Sequence, residues 1–125
     1  MKTVLIVEDV ELNRDLFVQI LEGDYRLLVA HDGQSAIDKA RAEKPDAILM
    51  DLSLPKLDGW EATRRLKADR ELAGIPVIVL SAHAMRGDEE RARACGADDF
   101  LTKPVDEALL LERLAKHLGT AGDGD

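Results

Sequence analysis

Short apolar runs without a polar face alternate along this chain with longer stretches in which apolar residues recur every three or four positions. The runs are TVLIV (3–7), RLLVA (26–30), AILM (47–50), PVIVL (76–80) and the weaker DFLT (99–102), all of strand length. Between them, Leu12, Leu16, Ile20 and Leu21 form one helical stripe closed by Gly23, and Ala36, Ile37 and Ala40 form another that ends before Pro45. Trp60, Thr63 and Leu66 predict a third helix. The fourth, over 85–94, carries Gly87 and the charges of GDEERAR, which predicts the most mobile helix of the set. In the fifth, Leu110, Leu111, Leu114 and Leu118 follow Asp106, a residue suited to an N-cap.

Five strands alternating with five helices predict an α/β fold: a doubly wound, five-stranded parallel sheet covered on both faces, with right-handed crossovers. The strand order expected for it is the flavodoxin-like 2-1-3-4-5, taken from the fold class and not read from this chain. One domain over 1–118 and a flexible tail over 119–125, GTAGDGD, are the expected organisation.

Composition narrows the function classes. The hydrophobic content of 46% includes only four aromatic residues, which excludes a stacking platform for bases. With 17 basic against 25 acidic residues the net charge is −8, so nucleic acid would be repelled. The single Cys95 excludes an internal disulfide and a multi-cysteine metal site, and fits a small buried apolar group in a cytoplasmic protein. No apolar run approaches the ~18 residues of a membrane span, and Met1-Lys2 leads into too short an apolar segment for a signal peptide.

In a sheet of this kind ligands bind outside the carboxyl ends of the strands, where the strand order reverses between the first and third. Glu8 and Asp9 follow the first run, Asp51 the third, Ser81 the fourth, and Lys103 and Pro104 the fifth. An acidic pair alone carries no information, because about five adjacent pairs are expected by chance at this acid content and five occur. Position gives this pair its weight. Two carboxylates ~4 Å apart at adjacent strand ends repel by ~4 kcal/mol at an effective dielectric near ~20. A divalent cation offsets that, and an all-oxygen site suits Mg²⁺, with Mn²⁺ as its substitute. Lys103 brings a second counter-charge, and a cis bond before Pro104 would fix its direction. The Ser81 hydroxyl is placed to donate to an anion held between cation and lysine. A carboxylate at the centre of such a cradle, Asp51, is a candidate nucleophile toward phosphorus.

In these residues the chain resembles the receiver domain of bacterial two-component response regulators over residues 3–118. LIVEDVELNR, AILMDLSLPKLDG, VIVLSAHA and GADDFLTKP occur in family order and spacing. The resemblance implies that Asp51 is the phosphoacceptor and that Mg²⁺ is bound by Asp9, Asp51 and the Ser53 carbonyl, with Glu8 acting through water. It implies that Ser81 and Phe100 are the switch pair and that Lys103 contacts the phosphoryl group. Ala82 leaves access for a phosphodonor, Ser53 and His83 tune phosphoryl lifetime, and Pro55 and Gly59 shape the loop after Asp51. The implied partners are a histidine kinase or phosphotransfer domain, docking near Asn13, Arg14, Leu16 and Phe17, and a downstream protein on the face of the fourth helix, fifth strand and fifth helix. A homodimer would use the outer side of the fifth helix. The implied function is that of a stand-alone phosphoacceptor that phosphorylates and dephosphorylates itself, rather than a turnover enzyme.

Four alternatives compete with that function. An electron-transfer flavodoxin would need a Ser-, Thr- and Gly-rich loop where EDVELN stands. A phosphatase of the haloacid dehalogenase kind would carry its nucleophile after the first strand. A phosphate-independent binding module would not need the full acid, hydroxyl and lysine set. A receiver fragment of a larger regulator or hybrid kinase would look the same in these residues.

Overall fold

The computed structural model describes residues 1–52, 54, 57–82 and 87–118. The expectations for Ser53, Pro55, His83, the first part of the fourth helix and the tail over 119–125 lie outside the described residues.

The chain runs β1 (Thr3–Val7), α1 (Glu11–Leu21), β2 (Arg26–Ala30), α2 (Gly33–Glu43), β3 (Ala47–Asp51), α3 (Gly59–Ala68), β4 (Val77–Ser81), α4 (Asp88–Ala94), β5 (Asp99–Thr102) and α5 (Glu107–Leu118). All strand pairs are parallel, in the order β2-β1-β3-β4-β5, as the fold class predicts. Three strands coincide with the sequence runs, and the other two end one residue later. β3 extends through Asp51, and β4 starts at Val77 and ends at Ser81. Pro76 falls out because it has no N–H to give the ladder, although its carbonyl accepts from the Ile48 N–H at 2.9 Å.

Alternation along the strands divides the core into two layers. Leu5, Val7, Ile48, Met50, Val77 and Val79 pack on the α2 and α3 side, together with Ala92 of α4. Val4, Ile6, Ala47, Leu49, Ile78, Leu80 and Leu101 pack on the other side, against Phe17 and Leu21 of α1 and Leu110 and Leu114 of α5. The same period sets what happens past the strand ends. Glu8 continues the Val4–Ile6 parity, Asp51 that of Ala47–Leu49, and Lys103 that of Leu101, so all three stand on the α1/α5 side of the sheet. Ser81 continues Val77–Val79 on the other side, where Phe100 packs against the same layer.

Helix α1 departs from expectation. Leu12 and Leu16, predicted in its core stripe, are 78% and 53% exposed, and the buried residues are Phe17 and Leu21. At about 100° per residue, Leu16 lies about a third of a turn off the Phe17–Leu21 line and Leu12 farther. Phe17, expected in a docking surface, is a core residue. Trp60 is half-buried, with the Arg91 guanidinium 4.2 Å from its ring centroid, which ties α3 to α4. Cys95 is buried and free.

Candidate functional site

The carboxylates of Glu8, Asp9 and Asp51 each present an oxygen within 4.8 Å of the other two, at the carboxyl ends of the adjacent central strands β1 and β3. Glu8 is 0% exposed and Asp51 4%, while Asp9 is open to solvent. Lys103 reaches in from beyond β5: its Nζ lies 2.6 Å from Glu8 Oε1 and 3.3 Å from Asp51 Oδ2. The Lys103–Pro104 peptide bond is cis, and the Lys103 N–H donates to the Ser81 carbonyl at 2.7 Å.

The charges set the proton affinities. Burial, then the hydrogen bond and negative charge of Asp51, raise the Glu8 carboxyl above its ordinary 4.5, against the opposing pull of Lys103. Burial works to lower the Lys103 ammonium, but the hydrogen bond to Glu8 and the charges of Asp51 and Glu8 outweigh it, so it too is raised. The two shifts differ in their main cause, burial for Glu8 and the neighbouring carboxylates for Lys103, while the negative charge of Asp51 raises both. When all the groups are ionised, three carboxylates face one ammonium, a surplus of two negative charges. An oxygen donor set of this charge and span fits a hard divalent cation.

Backbone contacts shape the rim. The β1 ladder closes with the Glu8 N–H donating to the Ala30 carbonyl at 3.1 Å, and the Val10 N–H donates to Glu8 Oε2 at 3.3 Å. A Cβ on Gly59 would meet the Asp51 carbonyl oxygen at 2.3 Å, and one on Gly33 would meet the Leu57 carbonyl oxygen at 2.2 Å. The Gly33 N–H donates to that same Leu57 oxygen at 3.1 Å, while Asp32 caps α2 through the Ser35 N–H at 2.8 Å. These two glycines let α2 and α3 close on the chain that follows Asp51. Gly33 was not singled out from sequence, because its partner is a main-chain oxygen 24 residues away.

Beside the acidic cluster, a groove of about 350 Å³ lies between α1 and the turn after β5, lined by Asn13, Leu16, Phe17, Ala82, Lys103 and Pro104 among others. Phe17 forms its floor rather than an exposed contact. At the opposite end of the sheet, Asp99, 4% exposed, accepts hydrogen bonds from Arg113 and from the Phe100 N–H, and pairs with His117 Nε2 at 3.1 Å. Sequence reading missed this cluster, because its members are 14 and 18 residues apart and belong to two elements.

Residues 4–115 match the response regulator receiver domain family. The chain belongs to this family. It is 45% identical to the polar-differentiation response regulator DivK of Brucella anthropi over 96% of this chain and 98% of that one. It is equally identical to DivK of Brucella ovis over the same shares. Among solved structures, the receiver domain of a sensor histidine kinase from Pseudomonas aeruginosa, with a magnesium ion in its active-site cleft, superposes with a TM-score of 0.87 at 37% identity. That match covers 95% of this chain and 98% of that one. The receiver domain of a histidine kinase from Syntrophus aciditrophicus matches with a TM-score of 0.88 at 32% identity, over 100% and 96% of the two chains. The receiver family consists of phosphoacceptor signalling modules that bind Mg²⁺ at an acidic site and work with histidine kinases or phosphotransfer proteins. Among the described residues no helix is long and apolar enough to cross a membrane.

Proposed function

We propose that this receiver accepts a phosphoryl group on Asp51 from a phosphohistidine of a kinase or phosphotransfer domain. The reading is carried by one observation: Glu8, Asp9 and Lys103 converge on the Asp51 carboxylate at the rim where strand order reverses. An Asp51 oxygen attacks phosphorus; the P–O bond forms as the P–N bond breaks, and the imidazole leaves with the electron pair and takes up a proton. Asp9, Asp51 and the Ser53 carbonyl, with help from Glu8, would hold Mg²⁺, which would supply charge neutralisation on the phosphoryl oxygens, and Mn²⁺ would substitute for it. Lys103, already held beside Asp51, neutralises a further oxygen. Water later attacks the same phosphorus, which releases phosphate and restores the carboxylate.

Ser81 and Phe100, on one side of the sheet, form the switch that remodels the α4-β5-α5 face for a downstream protein. Gly59, Pro55 and Pro104 shape the site, Ala82 leaves the donor's path open, and His83 tunes the lifetime of the adduct. Asn13 and Leu16, at the mouth of the α1 groove, are kinase-docking residues, and α5 offers a homodimer surface. The protein works in the cytoplasm as a stand-alone regulator, supported by the end-to-end match to DivK proteins. A second reading, a receiver of a hybrid kinase, is favoured by the sensor-kinase receivers among its structural relatives. The length of the open reading frame separates the two.

Intact-mass measurement after incubation with Mg²⁺ and a small phosphodonor such as acetyl phosphate tests the chemistry. One labile phosphoryl group is expected on wild type and none on Asp51→Asn. An adduct that persists in the variant defeats the assignment.

A further inference from the structure

Arg14 stands one turn into α1, its N–H bonded to the Val10 carbonyl at 3.0 Å. Its Nη1 donates to two main-chain oxygens, the carbonyl of Glu8 at 3.0 Å and that of Asp9 at 3.2 Å. These belong to the first two residues past β1, where the last ladder bond is the one from the Glu8 N–H to the Ala30 carbonyl. The Asp9 carboxylate is exposed and, among the described residues, has no hydrogen bond or ion pair, so its direction follows from the backbone that carries it. The guanidinium therefore fixes the turn that presents Asp9 to Asp51. It does so through main-chain oxygens, without taking a ligand oxygen from any of the three carboxylates. Lys103 differs in this respect, because its Nζ sits on Glu8 Oε1.

We propose that Arg14 is a positioning residue of the acidic site: by bridging the carbonyls of Glu8 and Asp9 it holds the β1–α1 turn in the cation-binding geometry and sets the affinity for Mg²⁺. This extends the phosphoacceptor reading and rests on it. It also gives Arg14 a task distinct from kinase docking, because the donor atom that reaches the turn is committed to it.

The experiment uses Arg14→Met, which keeps the apolar stem, and Arg14→Lys, which keeps the charge. The Mg²⁺ dissociation constant is measured by calorimetry without phosphodonor, and the rate of adduct formation from acetyl phosphate is followed across Mg²⁺ concentrations. Mg²⁺ binding is expected to weaken about tenfold in Arg14→Met, the effect of one lost charge-assisted hydrogen bond, and about threefold in Arg14→Lys, where an ammonium replaces the planar fork. At saturating Mg²⁺ both variants should form adduct at the wild-type rate, a split that a general loss of structure would not produce. Wild-type Mg²⁺ affinity in the variants, with or without slower transfer from a kinase, overturns the proposal. If Arg14→Met does not fold, Arg14→Lys carries the comparison alone. Failure of wild type itself to form a Mg²⁺-dependent adduct would instead remove the phosphoacceptor reading.

Discussion

Glu8 is buried against the Lys103 ammonium, and its carboxyl titrates above the ordinary 4.5 because of burial and the neighbouring Asp51. The folded state thus holds this proton more tightly than the unfolded state does. The resulting stability is complete below 4.5 and is lost as pH rises through the raised pKa. Once ionised, above its raised pKa, Glu8 is therefore a cost to the cation-free protein. Glu8→Gln should raise the thermal midpoint at pH 7 without divalent ions by roughly 4 °C, the shift that about 1 kcal/mol produces in a domain of this size. The gain should vanish near pH 4, where the wild-type carboxyl is itself protonated, and Mg²⁺ binding should weaken. Thermal scans at both pH values check this, and a variant less stable than wild type at pH 7 contradicts it. Glu8, Asp9, Asp51 and Lys103 were legible in the sequence because a polar residue at the end of an apolar run has one place to go, the rim. Arg14 was legible only as a surface residue of α1, since nothing in a residue list reveals that a side chain will seek main-chain oxygens.

At the level of elements, β5 and α5 are joined by Asp99, Arg113 and His117. Burial of Asp99 works to raise its carboxyl, but the hydrogen bonds from His117 and the Phe100 N–H and the charges of Arg113 and His117 outweigh it and hold it below the ordinary 3.8. A depressed folded pKa stabilises above 3.8 and ceases to do so as pH falls through the folded value. Asp99→Asn should cost about 2 kcal/mol at pH 7, the worth of hydrogen bonds to a charged group. Urea unfolding at pH 7 and pH 3 should show that gap narrowing in acid; an equal gap at both would place the stabilisation elsewhere. The periodicity that predicted α5 marked Leu110 and Leu114 but not this polar link, because a stripe of leucines does not show which charges flank it. In α1 the same periodicity misplaced the buried line, since Leu12 and Leu16 satisfy helical spacing as well as Phe17 and Leu21 do. Only the packing partners on the sheet choose between the two lines.

For the molecule as a whole, connectivity alone does not say where the strand order reverses. The order came from the fold class, whereas the alternation within each strand was already written in the chain. That alternation, combined with the observed order, puts Glu8, Asp51 and Lys103 on one side of the rim and Ser81 and Phe100 on the other. The chain carries a net charge of −8, and its three clustered carboxylates lie at the ends of its two central strands. Stability and cation binding are therefore linked. An ion that binds only the folded state adds about 2.7 kcal/mol at a concentration about 100-fold above its dissociation constant, or roughly 10 °C in midpoint at this size. Screening by monovalent salt also relieves repulsion among the exposed charges, but it reaches buried groups poorly. Titrating MgCl₂ against NaCl at matched ionic strength should thus raise the wild-type midpoint in proportion to the logarithm of Mg²⁺ concentration, with little response to NaCl. Asp51→Asn should lose most of the Mg²⁺ response while keeping the small NaCl response. Equal responses of wild type to the two salts would mean that the cluster acts only through its contribution to net charge, and the argument for a specific divalent site at the β1–β3 rim would fall with it.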